Sequence, residues 1–130
     1  REILLEMPPK IIVRITDGTV KATAGKTEMT LDQPDGSGGK VTVFAGSTKI
    51  SMNQDGDVTI EAAGSMALKA AGDLSLEGKN VSIKGRMKAE MEAGTQASFK
   101  ANMGATVDGG LASTVQGATV SIKGLTSFSP

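Results

Sequence analysis

Asp57-Val58-Thr59-Ile60-Glu61-Ala62-Ala63-Gly64, Ser65-Met66-Ala67-Leu68-Lys69-Ala70-Ala71-Gly72 and Asp73-Leu74-Ser75-Leu76-Glu77-Gly78 follow one another without a break. The apolar pairs Val58/Ile60, Met66/Leu68 and Leu74/Leu76 recur every eight residues. Each unit reads apolar, small or polar, apolar, charged, then small residues and glycine. That pattern is a short strand of period 2 followed by a corner.

From Val81 to Gly117 the regularity becomes a strict alternation. The odd positions include Val81, Ile83, Met87, Met91, Ala97, Phe99, Met103, Val107, Leu111 and Val115, and none of them is charged. Every charge falls on an even position: Lys84, Arg86, Lys88, Glu90, Glu92, Lys100 and Asp108. A helix would mix the two sets around its circumference, whereas a strand separates them onto a dry face and a wet one. One straight strand of this length would run roughly 120 Å at ~3.3 Å per residue, and typical strands end after about 5–6 residues. The chain must bend repeatedly while keeping one parity inward. Gly85, Gly94, Gly104, Gly109, Gly110, Gly117 and Gly124 are the expected corners.

Composition narrows the function before any site is sought. The chain has 130 residues, 14 basic and 14 acidic side chains, and a formal net charge of zero. No long-range field therefore steers it toward nucleic acid or an anionic membrane. Cys, His, Trp and Tyr are all missing, leaving Phe44, Phe99 and Phe128 as the aromatics. Without a thiolate or an imidazole, the usual nucleophile, neutral-pH base and metal ligand are unavailable to the chemistry. The expectation is a protein that is not an enzyme and carries no cofactor and no metal. Gly makes up 17 residues, and many apolar residues are Ala, so the core that one chain could bury is thin. A narrow inward set suits three chains wound about one axis, each supplying a face in turn and pairing its neighbour's strand edges.

The expected fold is all-β, an intertwined homotrimeric triple-stranded β-helix (a β-solenoid or prism) with short octad strands. Residues 1–52 read as a less regular β segment that leads in, residues 53–124 as the β-helix shaft and residues 125–130 as a blunt tip. Within the lead-in, Ile11–Ile15 is a strong strand between Pro8-Pro9 and Asp17-Gly18, while Val20/Ala22, Met29/Leu31, Val41/Val43 and Ile50/Met52 are weaker candidates. Asp17-Gly18 and Asp55-Gly56 read as tight turns, and Asp35–Gly39 as a flexible loop. The first residue is Arg, and the expectation is a piece of a longer chain.

The octads of Asp57–Lys84 resemble the C-terminal β-helix of VgrG proteins and the central spikes of phage tails and contractile injection systems. The closing Val120-Ser121-Ile122-Lys123-Gly124 followed by Leu125–Pro130 is similar to the blunt end of such a spike. The resemblance covers residues 50–130 well and 10–50 loosely. It implies a structural central spike of a contractile injection machine (type VI secretion, phage tail or extracellular particle) that punctures a target membrane. It further implies a homotrimer joined through upstream domains to baseplate and tube hub proteins, with transient membrane contact. Manufacture in the bacterial cytoplasm and delivery outside the cell on firing belong to the same implication.

A PAAR-type tip protein would then seat on Leu125, Thr126, Ser127, Phe128, Ser129 and Pro130. Phe128 is either its docking anchor or a plug on the core, and the two roles are compatible. The inward core would comprise Val58, Ile60, Met66, Leu68, Leu74, Leu76, Val81, Ile83, Met87, Met91, Phe99, Met103, Val107, Leu111, Val115, Val120 and Ile122.

Blander readings cover the other features. The mixed charges of Lys84–Glu92 solvate the outer face. Asp55, Asp57 and Asp73 suit corners better than calcium, whose ligand count they do not reach. The inward methionines fill gaps. The alternative function is a trimeric phage fibre or adhesin stalk that binds a receptor, which a binding head or exposed aromatics would mark. A polysaccharide-cleaving solenoid would need clustered carboxylates and aromatic sugar platforms, and neither is in the sequence.

Overall fold

The computed structural model describes residues 1–33 and 38–129. Most of the Asp35–Gly39 loop and the last tip residue, Pro130, lie outside these residues. The chain divides into two units, Arg1–Leu76 and Glu77–Pro130.

The first unit holds a seven-stranded antiparallel sheet in which each strand pairs with the next in sequence. Its strands are β1 (Glu2–Met7), β2 (Ile11–Thr16), β3 (Thr19–Ala24), β4 (Thr27–Asp32), β5 (Lys40–Ala45), β6 (Thr48–Asn53) and β7 (Val58–Glu61). The protein is all-β, and the described residues contain no helix. The segment expected to be the less regular one is here the hydrogen-bonded one. Val20/Ala22, Met29/Leu31, Val41/Val43 and Ile50/Met52 each lie in a full six-residue strand. Glu2–Met7, whose Ile3-Leu4-Leu5 run lies between Glu2 and Glu6, is the edge strand β1. The first octad contributes β7, at the opposite edge beside β6.

Register follows from the alternation. Leu5 stands opposite Val13, Val13 opposite Ala22, Ala22 opposite Met29, Met29 opposite Val43, Val43 opposite Ile50, and Ile50 opposite Ile60. A slip of one residue in any strand would turn its apolar set to the other face, so pattern and register specify each other.

Two of the hairpins are copies 21 residues apart. Val20–Gln33 and Val41–Gln54 share Ala-Gly-x-Thr at the turn and end in Gln. Ala24 pairs with Thr27 and Ala45 with Thr48, leaving Gly25 and Gly46 as the first residues of two-residue turns, with φ of 61° and 60°. That left-handed geometry matches the twist of the flanking strands and suits glycine. At the open end of each copy the Gln backbone closes on a glycine. Gln33 N–H donates to Gly18 O at 2.8 Å and Gln54 N–H to Gly39 O at 2.9 Å.

Beyond Glu61 no described residue belongs to a hydrogen-bonded strand, yet the chain is regular. It bends at Ala63 and Ala71 in the first unit. In the second it bends at Lys79, Arg86, Gly94, Asn102, Gly110 and Ala118, and again at Gly124. From Ala63 to Ala118 these bends fall eight residues apart except for one interval of seven, Lys79 to Arg86. Each bend from Ala63 to Gly110 follows the first apolar residue of its octad by five, as in Leu74/Lys79, Val81/Arg86 and Ala97/Asn102. The octad period that is plain in sequence only as far as Ile83 therefore continues in the backbone to Ala118.

The short interval matches the switch of the expected inward set from even numbers up to Leu76 to odd numbers from Val81 to Val115. A corner one residue shorter at Gly78-Lys79-Asn80 shifts the numbering of the alternation by one. The expected corners move slightly: the bends lie at Arg86-Met87, Asn102-Met103 and Gly110-Leu111, while Gly85, Gly104 and Gly109 sit one residue to either side.

Gly46→Val should cost about 1–2 kcal/mol of stability, because a branched side chain is disfavoured at positive φ. Ser47→Ala beside it should stay within about 0.5 kcal/mol. Thermal denaturation followed by circular dichroism checks both.

Candidate assembly surface

Pairing by register sorts the sheet into two unlike faces. One carries Ile3, Leu5, Met7, Ile11, Val13, Ile15 and their partners through Val58 and Ile60, and every position on it is apolar except Thr27 and Thr48. The other carries the charges. Arg14 Nε lies 3.7 Å from Glu2 Oε1 and Lys21 Nζ 3.0 Å from Glu28 Oε2, and the Lys49 ammonium stands 5.8 Å from the Phe44 ring centre. Thr19 Oγ1 donates to Asp32 Oδ1 at 2.8 Å. These exposed or half-buried surface pairs stabilise modestly, but together they commit this face to water.

The apolar face has no cover within the described chain. No hydrophobic side chain there is buried: Leu5 is 59% exposed, Met29 49% and Ile60 53%. From strand spacing and rise, six six-residue strands and the four-residue β7 present on the order of 600 Å². That is at or above the largest apolar patch of an ordinary monomer, about 300–600 Å². A concavity of about 590 Å³ at one end is lined in part by Val20, Leu31, Val41 and Met52, which belong to this face. It is part of the same surface rather than a separate ligand site.

The second unit has the complementary deficit, in its backbone. Its one backbone–backbone hydrogen bond among described residues runs from Ala112 N–H to Gly109 O, at 3.4 Å. Folded proteins average about one internal hydrogen bond per residue. The expected inward residues are all exposed within the chain, from Val81 and Ile83 at 58% and 76% to Phe99 at 77%. Met87, Met103 and Leu111 differ from the rest in sitting at bends, where they are fully exposed. At the tip, Leu125 is fully exposed and Phe128 86% exposed, and Thr126 Oγ1 donates to Gly124 O at 3.5 Å.

Asp57 serves a turn. Its N–H donates to Asn53 Oδ1 at 3.0 Å and its Oδ2 accepts from Asn53 Nδ2 at 3.3 Å. The described residues contain no cluster of three or more acidic, His or Cys side chains able to hold a metal. The expected inward set leaves out the residues of this apolar face in β1–β6, such as Val13, Met29, Val43 and Ile50. Their signal is the same odd–even alternation used further along, interrupted by turns that reset its parity.

Compared with known proteins, the chain matches no family model, and no curated protein matches it.

Val43→Asp, at the centre of the apolar face, should abolish self-association, whereas Thr42→Asp on the wet face should leave it intact. Light scattering coupled to size exclusion reads both.

Proposed function

We propose that this protein is a structural shaft: the central spike of a contractile injection machine, formed by three copies wound about one axis. The observation that carries this reading is the pairing of two deficits in one chain. A sheet with an uncovered apolar face continues into octads whose backbone donors and acceptors have almost no partner among the described residues. Neighbouring copies would meet both needs, covering the apolar face and bonding the extended octads at ~4.8 Å per strand. The recurring bends support a winding course, since an even repeat returns the same parity to the axis at every side.

Such a body suits mechanical work. Hydrogen bonds running along the axis resist compression, and interwound chains cannot separate without unwinding. Inward Ala, Met and Val keep the shaft slender, and the outward charges keep it soluble before use. At the Leu125–Ser129 end the last strand edge would be open, and a tip protein of the PAAR type would cover it.

The decisive measurement is the solution mass. Three times 13.2 kDa, about 40 kDa, supports the wound trimer, and 13 kDa overturns it. Ala97→Lys places three charges at the axis and should prevent assembly, while Ser98→Lys on the outer parity should not. Truncation after Gly124 should preserve the trimer and lose capture of a PAAR-type protein. A trimer that binds a surface receptor and no tip protein would favour the fibre or stalk instead.

A further inference from the structure

One outward position in each octad carries charge, and its sign alternates. Three residues beyond the first inward residue of successive octads stand Glu77, Lys84, Glu92, Lys100 and Asp108. The two preceding octads place Glu61 and Lys69 there, extending the same alternation in sequence; Gln116 ends it. All five side chains of the second unit are exposed, and none has an ion-pair partner among the described residues. Lys88 and Glu90, by contrast, pair with each other and lie outside the column.

We infer that this column is a register lock between copies of the chain, in which each charge faces the opposite charge on the neighbouring copy's adjacent strand. The inference rests on the wound assembly proposed above. Two observations direct the charges outward to another copy rather than inward to their own chain. First, if the chain wound alone with three strands per turn, each strand would bond to the strand three octads away. The second unit contains no such backbone bond among its described residues. Second, with three copies interleaved, the strand beside octad n of one copy is octad n+1 of the next. The column then stacks as Glu77 beside Lys84, Lys84 beside Glu92, and Lys100 beside Asp108, at cross-strand distances where opposite charges attract and like charges repel.

The octads are so alike that an assembly slipped by one strand would bury nearly the same apolar atoms. Slipping in either direction brings octad n beside n or n+2, which opposes like charges at every level. The alternation therefore distinguishes the aligned assembly from its nearest competitors, as polar positions fix register in coiled coils.

Zero-length carbodiimide cross-linking of the full chain at low salt tests the contact directly. The expected products join Lys84 to Glu77 or Glu92, and Lys100 to Glu92 or Asp108, in bands at multiples of 13.2 kDa. Links from Lys84 to Asp108 or Lys100 to Glu77 inside one chain, or no column links in an intact multi-copy assembly, overturn it. The mass of uncross-linked protein reports separately on the wound assembly. As a second reading, Lys84→Glu should melt about 5 °C below Lys84→Gln at low salt. The gap should close near 1 M salt, where the Debye length is about 3 Å. Failure of Lys84→Glu alone to assemble would also support the lock; identical low-salt melting of the two variants would overturn it.

Discussion

A β-strand is incomplete by itself. Its backbone offers bonding groups along both edges, and a strand with one apolar side must also lose that side to something other than water. The protein meets these needs unequally along its length. Between Glu2 and Glu61 consecutive strands satisfy one another's backbones, because two-residue turns at Gly25 and Gly46 return the chain immediately alongside itself. They do not satisfy the apolar face: seven sequential strands make one layer, and one layer cannot enclose a core. Beyond Glu61 the turns open into single bends, the chain no longer doubles back, and among the described residues the backbone bonds to itself only from Ala112 N–H to Gly109 O.

The change from hairpin to bend is therefore the change from self-pairing to a course that leaves room for other strands. It is governed by short sequences. Ala-Gly-x-Thr reverses the chain, whereas Ala-Ala-Gly and Gly-Lys-Asn turn it aside without reversing it. The alternation of small and apolar residues is similar on both sides of that change, and the corners decide which pairing each stretch adopts.

This distinction explains how much of the fold was legible in the sequence. The all-β class and the strand at Ile11–Ile15 follow from alternation and β-branched residues alone. Val20–Ala24 and Thr27–Leu31 read as weak because Ala, Thr, Lys and Glu dilute the local signal. In the sheet, cross-strand partners supply what local propensity lacks. Glu2–Met7 escaped notice because Leu4 on the wet face breaks the alternation of Ile3, Leu5 and Met7. Met87, Met103 and Leu111 share the inward parity but sit at bends, and parity has no information about where a strand ends. The candidate surface is legible as an odd–even pattern in the octads and less so in the meander, where each turn restarts the count. The resemblance to spike shafts rests on that facing pattern, and low-complexity octads carry little that would single out one family.

The shortened corner at Gly78 has a counterpart. Val81-Ser82-Ile83-Lys84-Gly85 and Val120-Ser121-Ile122-Lys123-Gly124 are identical, and each follows a glycine, Gly78 or Gly117, where an added Cβ would approach the carbonyl oxygen two residues on at 3.3 or 3.4 Å. A chain organised in this way has a ruler built into it. In the wound assembly proposed above, octads are interchangeable lengths, and copying or deleting two together would alter how far the protein reaches while keeping both the facing of every remaining side chain and the alternation of the charge column. In that assembly, reach would be a quantity that heredity can adjust in fixed increments.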